Sequence, residues 1–125
     1  MSFYVTFNVK SDKYKGFLNT QYAKAIRLRG EWEVGIIQCH MPNNYGTYWL
    51  FSNLVDFNYV NEIPMQLMDV VDTSESKIRK PLYQRVVRKT ISSINIEVRR
   101  DPAIEGFVSE SDSTDITCIL HFRKA

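Results

Sequence analysis

Several residue types are scarce in this 125-residue chain, and each scarcity excludes a class of protein. Two cysteines are too few for a disulfide-rich scaffold, although one bridge is compatible with that number. The 16 basic and 14 acidic residues nearly balance, so the net charge of +2 does not by itself indicate a nucleic acid or a membrane surface as partner. No apolar run approaches the roughly 18 residues of a membrane-spanning helix. We therefore expect a globular domain with no membrane span.

Length and aromatic content indicate one strand-rich domain. A chain of 125 residues can bury one core, and we expect residues 1–125 to form a single β-sandwich domain. Seven phenylalanines, seven tyrosines and two tryptophans favour strands and interfaces over helices. The first residues enter a strand pattern directly, without the features of a secretory leader. We therefore expect synthesis in the cytosol, where buried cysteines stay free.

Alternation of apolar and polar residues is clearest in segments 3–9, 31–41, 93–99 and 116–123. Residues 21–29 are compatible with a strand or with a helix. Turn-forming residues separate the segments, and no amphipathic helix of ordinary length is evident. This spacing predicts an all-β fold, a jelly-roll-like antiparallel β-sandwich, with a barrel as the alternative.

The inward positions of the strong segments form the predicted core. In the middle of the chain, segment 54–60 is predicted to be a strand with Val55, Phe57 and Tyr59 on one face, and 82–89 to be a basic strand. The predicted core residues are Phe3, Val5, Trp32, Val34, Ile36, Ile94, Ile96, Ile116, Leu120 and Phe122.

The most distinctive stretch is Leu28–Ile37, in which a charged turn leads into a strand with a tryptophan near its start. Glu31 and Glu33 fall on one face of this strand, and Trp32 falls on the other with the apolar residues that follow it. The pattern predicts a half-buried strand whose glutamates face solvent.

No catalytic constellation is evident, so we expect no enzyme and no cofactor. The only residues that resemble a metal set are Cys39 with His40 and Cys118 with His121. On strands, residues 39 and 40 point to opposite faces, and so do 118 and 121. We expect buried cysteines, surface histidines and no metal site.

One segment concentrates positive charge and is the candidate contact for a partner or for nucleic acid. In that function its cations would bind phosphates, and Tyr83 would stack on a base. The alternative is a solvated strand, or salt bridges to Glu97 and to the acidic loop at 101–114. The candidate residues are Lys77, Arg79, Lys80, Arg85, Arg88 and Lys89.

Motifs along the chain resemble a viral family. The segments 2–6 (Ser-Phe-Tyr-Val-Thr), 28–36 (Leu-Arg-Gly-Glu-Trp-Glu-Val-Gly-Ile), 41–42 (Met-Pro), 93–99 and 119–123 (Ile-Leu-His-Phe-Arg) carry the resemblance. In this order they are similar to the minor capsid (penton) proteins of Polinton/Maverick elements and related adintovirus-like viruses. The middle of the chain is the weakest part and is shorter than in the family, so the pattern leaves open whether all eight jelly-roll strands are present.

The resemblance implies a structural virion protein with no catalytic residues. It implies a single jelly-roll subunit that forms a homo-oligomer, a pentamer at capsid vertices, beside a major capsid protein. Such a protein is made in the host cell cytosol, or acts in the nucleus, and ends in the virion. Two alternatives stay open: a small β-barrel nucleic-acid-binding module, and a host-retained interaction domain derived from such an element.

Overall fold

The computed structural model describes residues 2–10, 17–41, 47–72, 78, 80–103 and 115–125. Within these residues the regular elements are β-strands, and none is a helix. The strands form two four-stranded antiparallel sheets that enclose one apolar core, together with a small separate hairpin. The predicted all-β, jelly-roll-like sandwich is confirmed, and the helical alternative for residues 21–29 is wrong.

Sheet A and sheet B are the two layers of the sandwich. Sheet A contains, in spatial order, β1 (Ser2–Lys10), β10 (Asp115–Lys124), β3 (Trp32–His40) and β8 (Gln84–Arg85). Sheet B contains β2 (Phe17–Arg27), β9 (Thr90–Arg99), β4 (Thr47–Ser52) and β7 (Leu67–Asp72). The separate hairpin pairs β5 (Asn58–Val60) with β6 (Ile63–Met65).

The strand order is that of a jelly roll. Counting only the strands of the two sheets, sheet A holds the first, eighth, third and sixth, and sheet B the second, seventh, fourth and fifth. Every pairing within the sheets is antiparallel, as two interleaved Greek keys require. The two sheets thus contain all eight strands of a jelly roll, and the β5–β6 hairpin lies between the fourth and the fifth of these strands in the sequence.

A β-bulge changes the phase of the central strand β3. Leu120 on β10 lies opposite Ile36, whereas Ile119 lies opposite Gln38, so Ile37 is the extra residue on β3. The bulge shifts the alternation by one residue, and Cys39 therefore faces the core together with Ile36. A strict alternation along 31–41 would have placed these two residues on opposite faces.

The predicted core residues all lie on the inner faces, but two of them are only partly buried. Phe3 and Val5 pack against the core without being enclosed. They lie on β1, the edge strand of sheet A, where one side has no neighbouring strand among the described residues. The other eight are at most 5% exposed: Trp32, Val34, Ile36, Ile94, Ile96, Ile116, Leu120 and Phe122.

Two predicted strands are shorter than expected. Segment 54–60 is a strand only from Asn58. Val55 is buried, whereas Phe57 and Tyr59 are 60% and 80% exposed, so the prediction that these three residues share one face is wrong. Tertiary contacts override the alternation here, because Val55 forms an isolated β-bridge to Val86 and both side chains belong to the core. Segment 82–89 is regular only at β8. β2 begins at Phe17, four residues before the predicted strand at 21–29, and residues 104–114 of the acidic loop lie outside the described residues.

The two faces of β10 differ in their expected sensitivity to substitution. Leu120→Ala removes a fully buried side chain from the core, and we expect it to lower the free energy of unfolding by about 2–5 kcal/mol. Ile119→Ala, on the half-buried outer face of the same strand, serves as the matched control and should cost less than half as much. Urea unfolding measures both, and equal losses would contradict the assigned faces.

Candidate interaction surfaces

The turn and strand around Trp32 anchor one end of the sandwich. Gly30 has a φ of +82°, a left-handed conformation that glycine adopts without strain. Nε1 of Trp32 donates a hydrogen bond of 2.9 Å to the carbonyl oxygen of Arg29, so the buried indole keeps its polar atom paired. Its ring centroid lies 5.6 Å from that of Phe3, which stacks on Phe122 at 4.7 Å. Trp32 is therefore a core residue.

The two glutamates of this stretch point outward, as predicted, and bind basic residues from distant parts of the chain. Glu31 accepts a hydrogen bond of 2.6 Å from Nε of Arg85 and lies 3.5 Å from Nζ of Lys89. Glu33 accepts one of 2.5 Å from Nε of Arg123. The hydrogen bond from Arg85, supported by the positive charges of Arg85 and Lys89, lowers the pKa of Glu31. These exposed pairs join β3 to the chain around β8 and to β10.

The described cations of the basic segment do not line one common groove. Arg85 and Lys89 converge on Glu31, and Nζ of Lys89 also donates to the carbonyl oxygen of Gly30 at 2.7 Å. Nε of Arg88 donates to a backbone carbonyl oxygen at residue 53, 3.2 Å away. Intramolecular contacts therefore occupy three of the candidate cations. The salt-bridge alternative named Glu97 and the acidic loop as partners, but Arg85 and Lys89 bind Glu31, and Glu97 pairs with Arg99 instead.

Three further candidates belong to the basic segment, with Tyr83 beside them. Lys80 is exposed, and Lys77 and Arg79 lie outside the described residues. Tyr83, the predicted stacking residue, is half-buried rather than free to receive a base, and the guanidinium of Arg123 lies 3.5 Å from its ring centroid. A nucleic-acid contact at this segment stays a prediction.

A glycine on β3 makes room for an aromatic cluster on the outer face of sheet A. The Tyr83 ring lies over Gly35, where an added Cβ would be 3.0 Å from a ring carbon. The Tyr83 hydroxyl is 2.8 Å from Nδ1 of His121, and His121 stacks on Tyr4 with ring centroids 4.7 Å apart. The cluster holds the segment before β8 against the sheet. Sequence reasoning missed it, because the residues that form it are far apart in the chain.

A second unpredicted cluster lies on the outer face of sheet B. Arg99 forms a salt bridge of 2.8 Å with Glu97, and both side chains are largely buried, at 15% and 17% exposure. The Arg99 guanidinium lies 4.8 Å from the ring centroid of Phe51, which is buried outside the main core. The alternation of β9 predicted that residues 97 and 99 face outward, but not that they would be covered.

The cysteine and histidine pairs separate onto different faces. Cys39 and Cys118 are directly opposite each other across β3 and β10, and both are buried as free thiols. His121 belongs to the outer aromatic cluster, and His40 is half-buried. Across the described ranges, no group of three or more histidine, cysteine, aspartate or glutamate side chains could hold a metal ion.

The outer edges of the two sheets are not equally protected. β8 is only two residues long, β2 has a register break between Gln21 and Ile26, and β7 carries Asp69 and Asp72. Shortness, bulges and charge are the usual devices that prevent unwanted strand pairing. In contrast, β1 pairs with β10 in continuous register over all nine residues, contains no proline or glycine, and has one charged residue, Lys10, at its end.

A slit between the two sheets opens beside the edge strand β1. On the sheet A side it is lined by the partly buried Phe3 and Val5, and on the sheet B side by Tyr22 and Ile26 of β2. Burial raises the pKa of Tyr22, which indicates that the slit already excludes part of the solvent. Apolar walls and a sheet edge that no other described strand pairs thus lie together on one flank, and we call this region the β1 flank.

No protein-family model and no curated protein matches this chain. Among the described elements there is no helix of the length and apolar character needed to cross a membrane.

The contact between Gly35 and Tyr83 predicts a specific coupling. Gly35→Ala should lower the free energy of unfolding by about 1–3 kcal/mol, because the new methyl group meets the Tyr83 ring and the carbonyl oxygen of Leu82 at 3.0–3.1 Å. In a Tyr83→Ala background the same substitution should cost less, since the ring is gone. Chemical denaturation of the four proteins of this cycle measures the difference, and an identical cost in both backgrounds would refute the contact.

The lowered pKa of Glu31 predicts a pH dependence. Because the folded state favours the ionised carboxylate, Glu31 stabilises the fold above its ordinary pKa, and this stabilisation disappears as the pH falls through the lowered folded value. Glu31→Gln should therefore flatten the loss of stability between neutral and acid pH. Urea midpoints across that range test this, with Glu62→Gln at the exposed hairpin turn as control. An unchanged slope in Glu31→Gln would argue against the pairing.

Proposed function

We propose that this chain is a non-enzymatic, self-assembling structural subunit of a virus-like shell, of the penton type that its motifs resemble. Two features support the proposal. The motif blocks follow the order of that family from one end of the chain to the other. The sandwich has the complete strand order of a jelly roll, an architecture used by shell-forming domains among others.

The β1 flank is the single observation that carries the proposal. A nine-residue edge strand whose single charged residue lies at its end can pair with a strand of another chain, and a neighbouring subunit is the partner that we propose for it. The adjoining slit offers apolar surface to side chains of an added element. In an assembly, a neighbouring subunit would cover both, which removes the risk of uncontrolled pairing.

The two flanks of the sandwich differ, which favours a ring. The β1 flank presents the free edge and the slit, whereas the opposite flank presents β7 and β8. Contact between unlike surfaces is heterologous, and it closes into a ring when the rotation per subunit allows. We propose a pentameric ring at capsid vertices, in contact with a major capsid protein, made in the host cell and located in the virion.

Self-assembly through the β1 flank predicts a charge-sensitive oligomer. Light scattering and native mass spectrometry of the purified chain should show an oligomer that grows with concentration and reaches five copies. Val5→Lys places a charge on the inward side of the edge strand, beside the slit, and should lower the oligomer fraction at least tenfold. The matched control is Val70→Lys, on the exposed face of β7.

Two results would count against this prediction. A strict monomer at all concentrations, with no binding to a capsid partner, would contradict self-assembly itself. An oligomer that Val5→Lys leaves intact would remove the β1 flank as its contact. Thermal melting of both variants shows whether they fold, so that loss of assembly is not mistaken for loss of structure.

A further inference from the structure

The two cysteines of the chain are neighbours in space, although 78 residues lie between them in the sequence. Cys39 on β3 and Cys118 on β10 are direct partners in the antiparallel register of sheet A. Both side chains point into the core, with 1% and 0% of their surface exposed. The bulge one position further along β10 produces this match, because it turns Cys39 inward.

The register brings the pair within the distance range of a disulfide. Directly opposite residues of antiparallel strands have Cα atoms about 4.5–5.5 Å apart, and disulfides span about 4.4–6.8 Å between Cα atoms. A hydrogen bond with Cys39, together with burial, raises the pKa of the Cys118 thiol well above its usual range. Formation of the bond therefore needs only a small adjustment of two side chains.

We propose that Cys39 and Cys118 are a covalent modification site at which a peroxide converts the two thiols into a cross-strand disulfide. The peroxide first oxidises one thiol to a sulfenic acid and leaves as water. The sulfur of the second thiol then attacks the sulfenic sulfur, and the hydroxyl group leaves with the thiol proton as a second water. In total, two thiols and one hydrogen peroxide give one disulfide and two waters.

The bond would fasten β10 to β3 at the middle of sheet A. Because it links residues far apart in the sequence, it would restrict the unfolded chain strongly. In a reducing cytosol the pair stays a dithiol, and in an oxidising environment it becomes the disulfide. Burial makes the reaction slow, because peroxide reaches the sulfurs only when the two strands separate transiently. The same burial protects the finished disulfide from soluble thiols.

The experiment compares the full chain before and after incubation with excess hydrogen peroxide. We expect both free thiols to disappear when titrated in denaturant, the intact mass to fall by two hydrogen atoms, and a peptide map to join Cys39 to Cys118 within one chain. The melting temperature should rise by about 5–15 °C. A low urea concentration, below the unfolding transition, should speed the oxidation because it favours strand opening.

Single substitutions provide matched controls. Cys39→Ala and Cys118→Ala should each abolish the rise in melting temperature, and the remaining thiol should not form an intramolecular bond. Retention of both thiols, their conversion to sulfinic acids, or disulfides between chains would overturn the inference. The mass and the peptide map of the unsubstituted chain decide the question even if a variant fails to fold. None of these readouts depends on assembly, so the inference is separable from the proposed function.

Discussion

The insertion of β10 between β1 and β3 is the constraint on which the rest of the structure depends. It joins the last strand of the chain to the first and to the third, so neither sheet A nor the jelly-roll order exists without it. The inner face of β10 supplies Ile116, Leu120 and Phe122, all without solvent exposure, to the core. Such pairing at long sequence separation costs much chain entropy, and the burial of this continuous apolar row offsets it.

The register that β10 imposes also organises the outer face of sheet A. It aligns Tyr4, His121 and Gly35 across three strands, and the Tyr83 ring packs on this row. The next row aligns Arg123 with Glu33. The segment before β8 is therefore held by aromatic and ionic contacts rather than by a long strand ladder, which explains how a two-residue β8 completes the sheet. Arg85 and Lys89 of the basic segment add ionic contacts to Glu31 just before β3.

The β1 flank is the region in which incomplete burial and the proposed assembly are connected. Within the part of the chain that the structure describes, the edges of β2, β7 and β8 are short, interrupted or acidic, whereas β1 is continuous and has a single charge, Lys10, at its end. The slit beside β1 leaves Phe3 and Val5 only partly buried, although their alternation matches that of fully buried strands. A neighbouring subunit would complete their burial, which is the physical link between this edge and the proposed shell. Cys118 of β10 lies opposite Phe7 of β1, and Cys39 lies one strand further from that edge.

Local sequence determined the strong strands, their inward residues and the outward glutamates, because a half-buried strand has a strict period of two. Tertiary structure alone decided the strand order, the bulge that turns Cys39 toward Cys118, and the exposure of Phe57 and Tyr59. It also decided the burial of Arg99 with Glu97. These features depend on which distant residues become neighbours, and a periodic pattern contains no information about distant partners.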